Sequence, residues 1–360
     1  MQSVLVNSGP NNDYVNGLFT SVTLCVPGTS TCQTISGILV DTGSSGLRVL
    51  SSAMTLALPQ QTSHGAPVAE CAQFQDGFTW GPIQGADIKL AGETASNVPI
   101  QVIGAPQFST IPSDCSSTGS SEDTLNDLGA NGILGLSVFK EDCGPACTVA
   151  GSSNPGFYYA CPSTGCVVVA QPSARQLQNP VWLFTSDNNG VMIQLPSVPS
   201  GGSATLTGSL VFGIGTQSDN ALGSASVFTT DAAGNFTTVF NGQSYASSFV
   251  DSGSNGLFFL DASTSGLPAC SDTADFYCPP SPRALSATTR GGNGTTATVS
   301  FSIDNADRLL NKLSFSVFGE LGGPNAGAFD WGLPFFYGRS VFTAIEGQST
   351  PGGVGPYWAY

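Results

Sequence analysis

One short pattern occurs twice in this 360-residue chain and constrains its fold more than any other feature. Ile38-Leu39-Val40-Asp41-Thr42-Gly43-Ser44-Ser45-Gly46 runs from an apolar, strand-like stretch into an Asp, a small hydroxyl residue, Gly, Ser, a polar residue and Gly. Ser248-Phe249-Val250-Asp251-Ser252-Gly253-Ser254-Asn255-Gly256 repeats the pattern in the second half. A single Asp-Thr-Gly is an ordinary turn. Two copies, each at the exit of a buried strand, point to two halves built alike and facing one another.

A chain of this length ordinarily holds two lobes. Its charged fraction is only 9%, and polarity comes instead from Ser, Thr, Gly, Asn and Gln. With 45 Gly and 23 Pro, that palette favours short strands and many turns. Helical periodicity is confined to pieces such as Ala306 to Lys312, so the expected class is mainly β. Residues 1–16 read as a loosely attached N-terminal arm, 17–216 as a first lobe and 217–360 as a second. Hairpins are expected at Leu18 to Val40, around Gly81-Pro82 between Phe78 and Gly85, and from Ala225 to Val239. Val181 to Phe184 reads as a strand.

Acids outnumber bases 24 to 9, giving a net charge of −15. No basic run exists, which argues against a nucleic acid or an anionic membrane as partner. No stretch has transmembrane length, and the N-terminus lacks the form of a signal peptide, so a mature chain without its signal peptide is expected.

The ten cysteines are Cys25, Cys32, Cys71, Cys115, Cys143, Cys147, Cys161, Cys166, Cys270 and Cys278. Their even number predicts up to five disulfides and a secreted or periplasmic location. Zinc is disfavoured, because His64 is the lone histidine and no Cys pair has a two-residue gap. Cys25–Cys32 and Cys270–Cys278 look local. Several connectivities remain open for Cys143 to Cys166, which lie in a stapled insertion over residues 141–168.

Two Asp loops brought together would set two carboxyls a few Å apart. Like charges that close share a proton: one pKa rises and the other falls. The neutral member can donate to a substrate carbonyl while the ionised member takes a proton from a water that attacks an amide. This chemistry needs neither metal nor histidine.

With these motifs the chain resembles the pepsin-like aspartic peptidases, in a bacterial branch distant from the animal enzymes, over about Gly17 to Gly347. The resemblance implies a bilobal acid-protease fold with a peptide-binding cleft, and Asp41 and Asp251 as the catalytic pair. Thr42 and Ser252 would cross-link the loops, Ser44 and Ser254 would contact the outer carboxyl oxygens, and Gly43 and Gly253 would admit close backbone approach. Ile133-Leu134-Gly135 matches the brace of the first loop. For the second, Trp331-Gly332 followed by Leu333-Pro334 is the match available.

The family's flap presents a Tyr over the cleft, yet no Tyr stands between residues 15 and 157. Trp80, or secondarily Phe78, is the expected substitute. Arg48 stands where many relatives have a Trp; it would either act on the dyad or pair with an acid elsewhere. The resemblance implies a monomeric endopeptidase for polypeptide substrates, working at acidic pH without cofactor or metal. The alternative is a catalytically inactive pepsin-like binding or inhibitor module.

Overall fold

The first Asp strand, Cys32–Asp41, alternates between solvent and core at its start and becomes fully buried as it reaches Val40 and Asp41. It pairs antiparallel with Gly17–Cys25, and the Cys25–Cys32 disulfide closes the turn between them. This computed structural model describes residues 1–272 and 275–360; residues 273 and 274, inside the predicted stapled region Cys270 to Pro282, lie outside the described residues. The architecture is mainly β. Among the described residues the longest α-helix is the five-residue Ala306–Leu310, where short helical periodicity was expected.

A run of six antiparallel strands within the largest sheet joins the two halves of the chain. Its order is Gln2–Asn7, Leu206–Phe212, Gly190–Leu195, Arg339–Ala344, Tyr357–Ala359 and Val227–Thr229. Residues 1–16 are therefore no loose arm. Val4 and Val6 alternate into the core at 1% and 0% exposure, and Gln2–Asn7 pairs on its other side with Gly17–Cys25. Beyond it, the Asn16 side chain donates to the carbonyls of Asn255 and Phe318, tying the arm to the second half. The expected boundary at residue 216 falls just past two strands of this shared sheet.

The second half builds its own sheet from Phe236–Phe240, Gln243–Val250, Leu257–Leu260, Arg283–Arg290, Thr296–Ile303 and Asn325–Trp331. Its core is aromatic. Phe259 stacks on Phe329 at 5.2 Å between ring centres, and Phe301 meets Trp331 edge-on at 5.4 Å. Such pairs add to the burial of their large apolar faces.

Three local expectations are corrected. Pro180–Leu183 is a 3-10 turn rather than a strand, because the Asn179 side chain accepts from the Val181 N–H and Pro180 opens the turn. Val227–Thr229 and Phe236–Phe240 do not pair with each other. The Asp231 carboxylate between them accepts from Ala233 and Asn235, and the chain then crosses from one sheet to another. Gly77–Leu90 is one 14-residue strand without a turn at Gly81-Pro82. A Cβ on Gly81 would sit 2.0 Å from the Val102 carbonyl oxygen, so this glycine admits a crossing strand.

All ten cysteines are paired: Cys25–Cys32, Cys71–Cys115, Cys143–Cys147, Cys161–Cys166 and Cys270–Cys278. Five disulfides are the usage of an oxidising compartment. The insertion is more than surface decoration. Its strand Tyr158–Ala160 pairs with Ala66–Gln73, and Tyr158 and Cys147 are buried against Val68, Ile83 and Leu177. No helix is long and apolar enough to cross a membrane among the described residues.

Candidate active site

Each Asp strand is gripped by a second strand that arrives from far along the chain. Gly132–Leu136 runs parallel to the first, placing Ile133 beside Leu39, Leu134 beside Val40 and Gly135 beside Asp41. It also pairs antiparallel with Ser45–Leu50, the strand leaving the loop. The second half repeats this: Asn325–Trp331 lies parallel to Gln243–Val250 and antiparallel to Leu257–Leu260, with Asp330 beside Phe249 and Trp331 beside Val250. Gly135 and Gly332 hold equivalent positions under their loops. A Cβ on Gly332 would lie 2.0 Å from the Gly256 carbonyl oxygen, and one on Gly135 would lie 2.7 Å from the Ser45 carbonyl carbon. Trp331-Gly332 thus braces the second loop as Leu134-Gly135 braces the first.

The two loops meet tip to tip. The Thr42 N–H donates to Ser252 Oγ at 3.1 Å, and the Ser252 N–H donates to Thr42 Oγ1 at 2.9 Å. Each hydroxyl passes its own proton to a backbone carbonyl of the opposite strand, Thr42 to Val250 and Ser252 to Val40. Gly43 and Gly253 face the carboxyls across the junction. A Cβ on Gly43 would be 2.7 Å from Asp251 Cγ, and one on Gly253 would be 2.6 Å from Asp41 Oδ1.

Within each loop the carboxylate is held alike. The N–H of Gly43 donates to Asp41 Oδ1, and that of Gly253 to Asp251 Oδ1, both at 2.7 Å. Ser44 Oγ donates to Asp41 Oδ2, and Ser254 Oγ lies 2.9 Å from Asp251 Oδ2. Asp251 is pushed well above the ordinary carboxylate range. Burial is the main cause, followed by the negative charges of Asp41 and Asp330 and a hydrogen bond with Asp41. The eight residues expected in the dyad and its support are all brought together here.

A third carboxyl adjoins the pair. Asp330 Oδ2 lies 2.6 Å from Ser254 Oγ, while its Oδ1 is buried without a hydrogen-bond partner. Burial pushes its pKa up to about 8; the Ser254 hydrogen bond opposes the shift and the charge of Asp41 adds to it.

Arg48 and the expected flap residues stand elsewhere. Arg48 is 2% exposed and its Nη2 reaches Glu70 Oε1 at 2.7 Å and Asp142 Oδ2 at 3.3 Å, so it serves a buried acidic pair and not the dyad. Asp142 is raised by burial first and by Glu70 next, against the pull of Arg48. Trp80 and Phe78 are buried at 1% and 2% exposure in a cluster with Cys71, Cys115 and Tyr159. Trp80 Nε1 donates to the Phe108 carbonyl at 2.8 Å. A large indole is held there by the edge of Tyr159, so neither residue can cover a substrate.

The hairpin of Ala66–Gln73 and Gly77–Leu90 turns instead at Phe74-Gln75-Asp76, where the Phe74 N–H donates to the Gly77 carbonyl. The half-buried Phe74 ring lies 5.7 Å from the Arg48 guanidinium and, like Tyr14, packs against the apolar cluster that contains Phe19, Leu50 and Ile133. Tyr14, from the arm, meets Phe19 edge-on at 5.4 Å. Its phenol is raised by burial first, then by the charges of Asp76 and Asp41.

A family model described as "Protein of unknown function (DUF3443)" matches residues 1–360. The chain belongs to the DUF3443 family. No curated protein matches it in sequence. Among solved structures it is similar to the aspartic proteinase from Irpex lacteus. That match has 16% identity and a TM-score of 0.56, and covers 99% of this chain and 96% of that one. A likeness at this identity carries the fold: the DUF3443 chain has a pepsin-like arrangement of two β-rich halves.

Three residues of this DUF3443 site escape a sequence reading, although signals for two of them exist. Aligning Ile133-Leu134-Gly135 with Asp330-Trp331-Gly332 exposes an acid where an apolar residue is expected. The dipeptide Asp76-Gly77 marks the hairpin turn beside Phe74. Tyr14 has no motif; only the folded path of the arm brings it against Phe19 and the cluster that contains Ile133.

Proposed function

We propose that this DUF3443 protein is an aspartic endopeptidase in which a water held between Asp41 and Asp251 attacks the peptide carbonyl. The observation that carries the reading is the meeting of the two carboxyls in cross-tied loops, each against the glycine of the opposite loop; desolvation and the neighbouring Asp41 charge raise Asp251, which favours its protonated form. Asp251 keeps the proton and donates it to the carbonyl oxygen as the tetrahedral centre forms. Asp41, ionised, takes a proton from the water. Ser44 and the Gly43 N–H hold Asp41 so that its inner oxygen faces the water. No side chain becomes covalently attached.

The hairpin tip at Phe74 closes over the bound polypeptide, with Tyr14 lining the cleft beside it. Five disulfides support a secreted or periplasmic setting. Denatured haemoglobin incubated with the protein at about pH 3 to 7 tests the reading. Cleavage is expected, and Asp41→Asn and Asp251→Asn should each lower it about 1000-fold or more with the fold retained. Uncleaved substrate across that range would leave a pepsin-like binding module as the conclusion.

A further inference from the structure

Ser254 has one hydroxyl proton and two carboxyls to serve. Its Oγ lies 2.9 Å from Asp251 Oδ2 and 2.6 Å from Asp330 Oδ2. A serine hydroxyl donates once and can accept in return. Both contacts are hydrogen bonds only if one of the two carboxyls is itself protonated and donates to Ser254. With the proton on Asp330, the order of donation is Asp330 to Ser254 to Asp251. With it on Asp251, the order reverses. The three groups form a wire along which one proton can stand at either end.

The surroundings favour keeping that proton. Asp330 occupies the place that Ile133 holds in the first half, 7% exposed, with Phe249 and Phe258 as register neighbours on the flanking strands. The charged groups acting on it and on Asp251 are carboxyls, and the Tyr14 phenol is itself raised in part by the charges of Asp41 and Asp251. Its second oxygen, Oδ1, is buried without a partner. A carboxylate in such a place is costly, and a pepsin-like brace could be built with an apolar side chain here, as Ile133 demonstrates.

We propose that Asp330 is a positioning residue that acts through Ser254 to keep Asp251 protonated to higher pH than the two dyad carboxyls alone would allow. At a pH where Asp330 has ionised, that end of the wire no longer holds a proton. Ser254 then turns its hydrogen toward Asp330 and accepts from Asp251, and the new negative charge opposes loss of the Asp251 proton. The proposal rests on the peptidase reading for its consequence, since it extends the singly protonated dyad, and so peptide cleavage, toward neutral pH.

The test reads the proton directly as well as the reaction. Carboxyl titrations followed by NMR, with aspartate carboxyl carbons labelled, are compared among wild type, Asp330→Asn and Asp330→Leu. Asp251→Asn identifies the Asp251 signal. Removing the Asp330 charge is expected to lower the Asp251 midpoint by about one pH unit, a tenfold change in proton affinity. The alkaline limb of the kcat/KM profile should move down by the same amount.

An unmoved Asp251 midpoint in whichever variant folds overturns the proposal, even if the wild-type protein cleaves peptides. A lowered melting temperature with the midpoint in place would mean that Asp330 only supports its strand, and overturns it too. A shifted midpoint in a protein that cleaves nothing upholds the wire while the peptidase reading fails.

Discussion

Thr42 and Ser252 are each other's donor and acceptor: each backbone N–H ends on the other's hydroxyl, at 3.1 and 2.9 Å. The two residues come from opposite halves of the chain, so this pair is the mechanical joint between the Asp loops. Removing either hydroxyl strands a buried N–H. Thr42→Val and Ser252→Ala are each expected to cost about 1–3 kcal/mol in denaturant unfolding. Because each loss already breaks the shared joint, the double variant should lose less than the sum.

Gly43 and Gly253 sit against the opposite carboxyls with no room for a methyl group. Gly43→Ala and Gly253→Ala are expected to part the dyad by a fraction of an ångström and lower kcat/KM about 100-fold. Circular dichroism should remain that of the wild type, since the strands themselves are untouched. Full activity in either variant would remove the contact from the working geometry.

Trp80, the expected flap aromatic, is buried, and Phe74 stands at the hairpin turn instead. Phe74→Ala should lower kcat/KM about tenfold, mainly through KM, with little change in stability. Trp80→Ala should instead cost about 3–5 kcal/mol of folding free energy by emptying the cluster around Tyr159 and Cys115. Parallel peptide-cleavage and unfolding measurements on the two variants separate these outcomes.

Stability should fall from acid toward neutral pH. Asp330 and Glu122 are both pushed up to about 8, and burial is the main cause in each; for Glu122 the Asp76 charge and a hydrogen bond that protonated Glu122 donates to Asp76 come next. Unfolded carboxyls titrate near about 4. A group whose folded pKa is raised contributes stability that is fully present below the unfolded value and is lost as pH rises through the folded one. The net charge of −15 works in the same direction. Calorimetry is expected to give a lower melting temperature at pH near 8 than near 4, and Asp330→Asn together with Glu122→Gln should flatten that slope.

The loops and the first brace can be read from the chain because their chemistry is local. Asp, hydroxyl residue and Gly stand next to one another in sequence, and the strand that carries them is a short apolar run. The flap assignment failed for the opposite reason. Trp80 has the composition of a tip residue, but its neighbour Tyr159 comes from the disulfide-stapled insertion, and that distant contact decides its burial. Arg48 likewise owes its orientation to Glu70 and Asp142, from two other segments. The predicted hairpin between Ala225 and Val239 missed because each of its strands finds a partner elsewhere, one of them Tyr357–Ala359. Asp330 shows in sequence only as an acid at the brace position that Ile133 fills in the first half. Its character comes from two flanking strands and one serine.

The braces also set a clock on synthesis. A nascent chain leaves the ribosome N-terminus first, and the first Asp loop has its full support once Leu136 has emerged. The second must wait for Gly332, long after Asp251 itself is out. Until then the second loop lacks its brace, and the two carboxyls cannot be held in their final pairing. The late arrival of one strand thereby makes completion of the candidate site one of the last events in chain order.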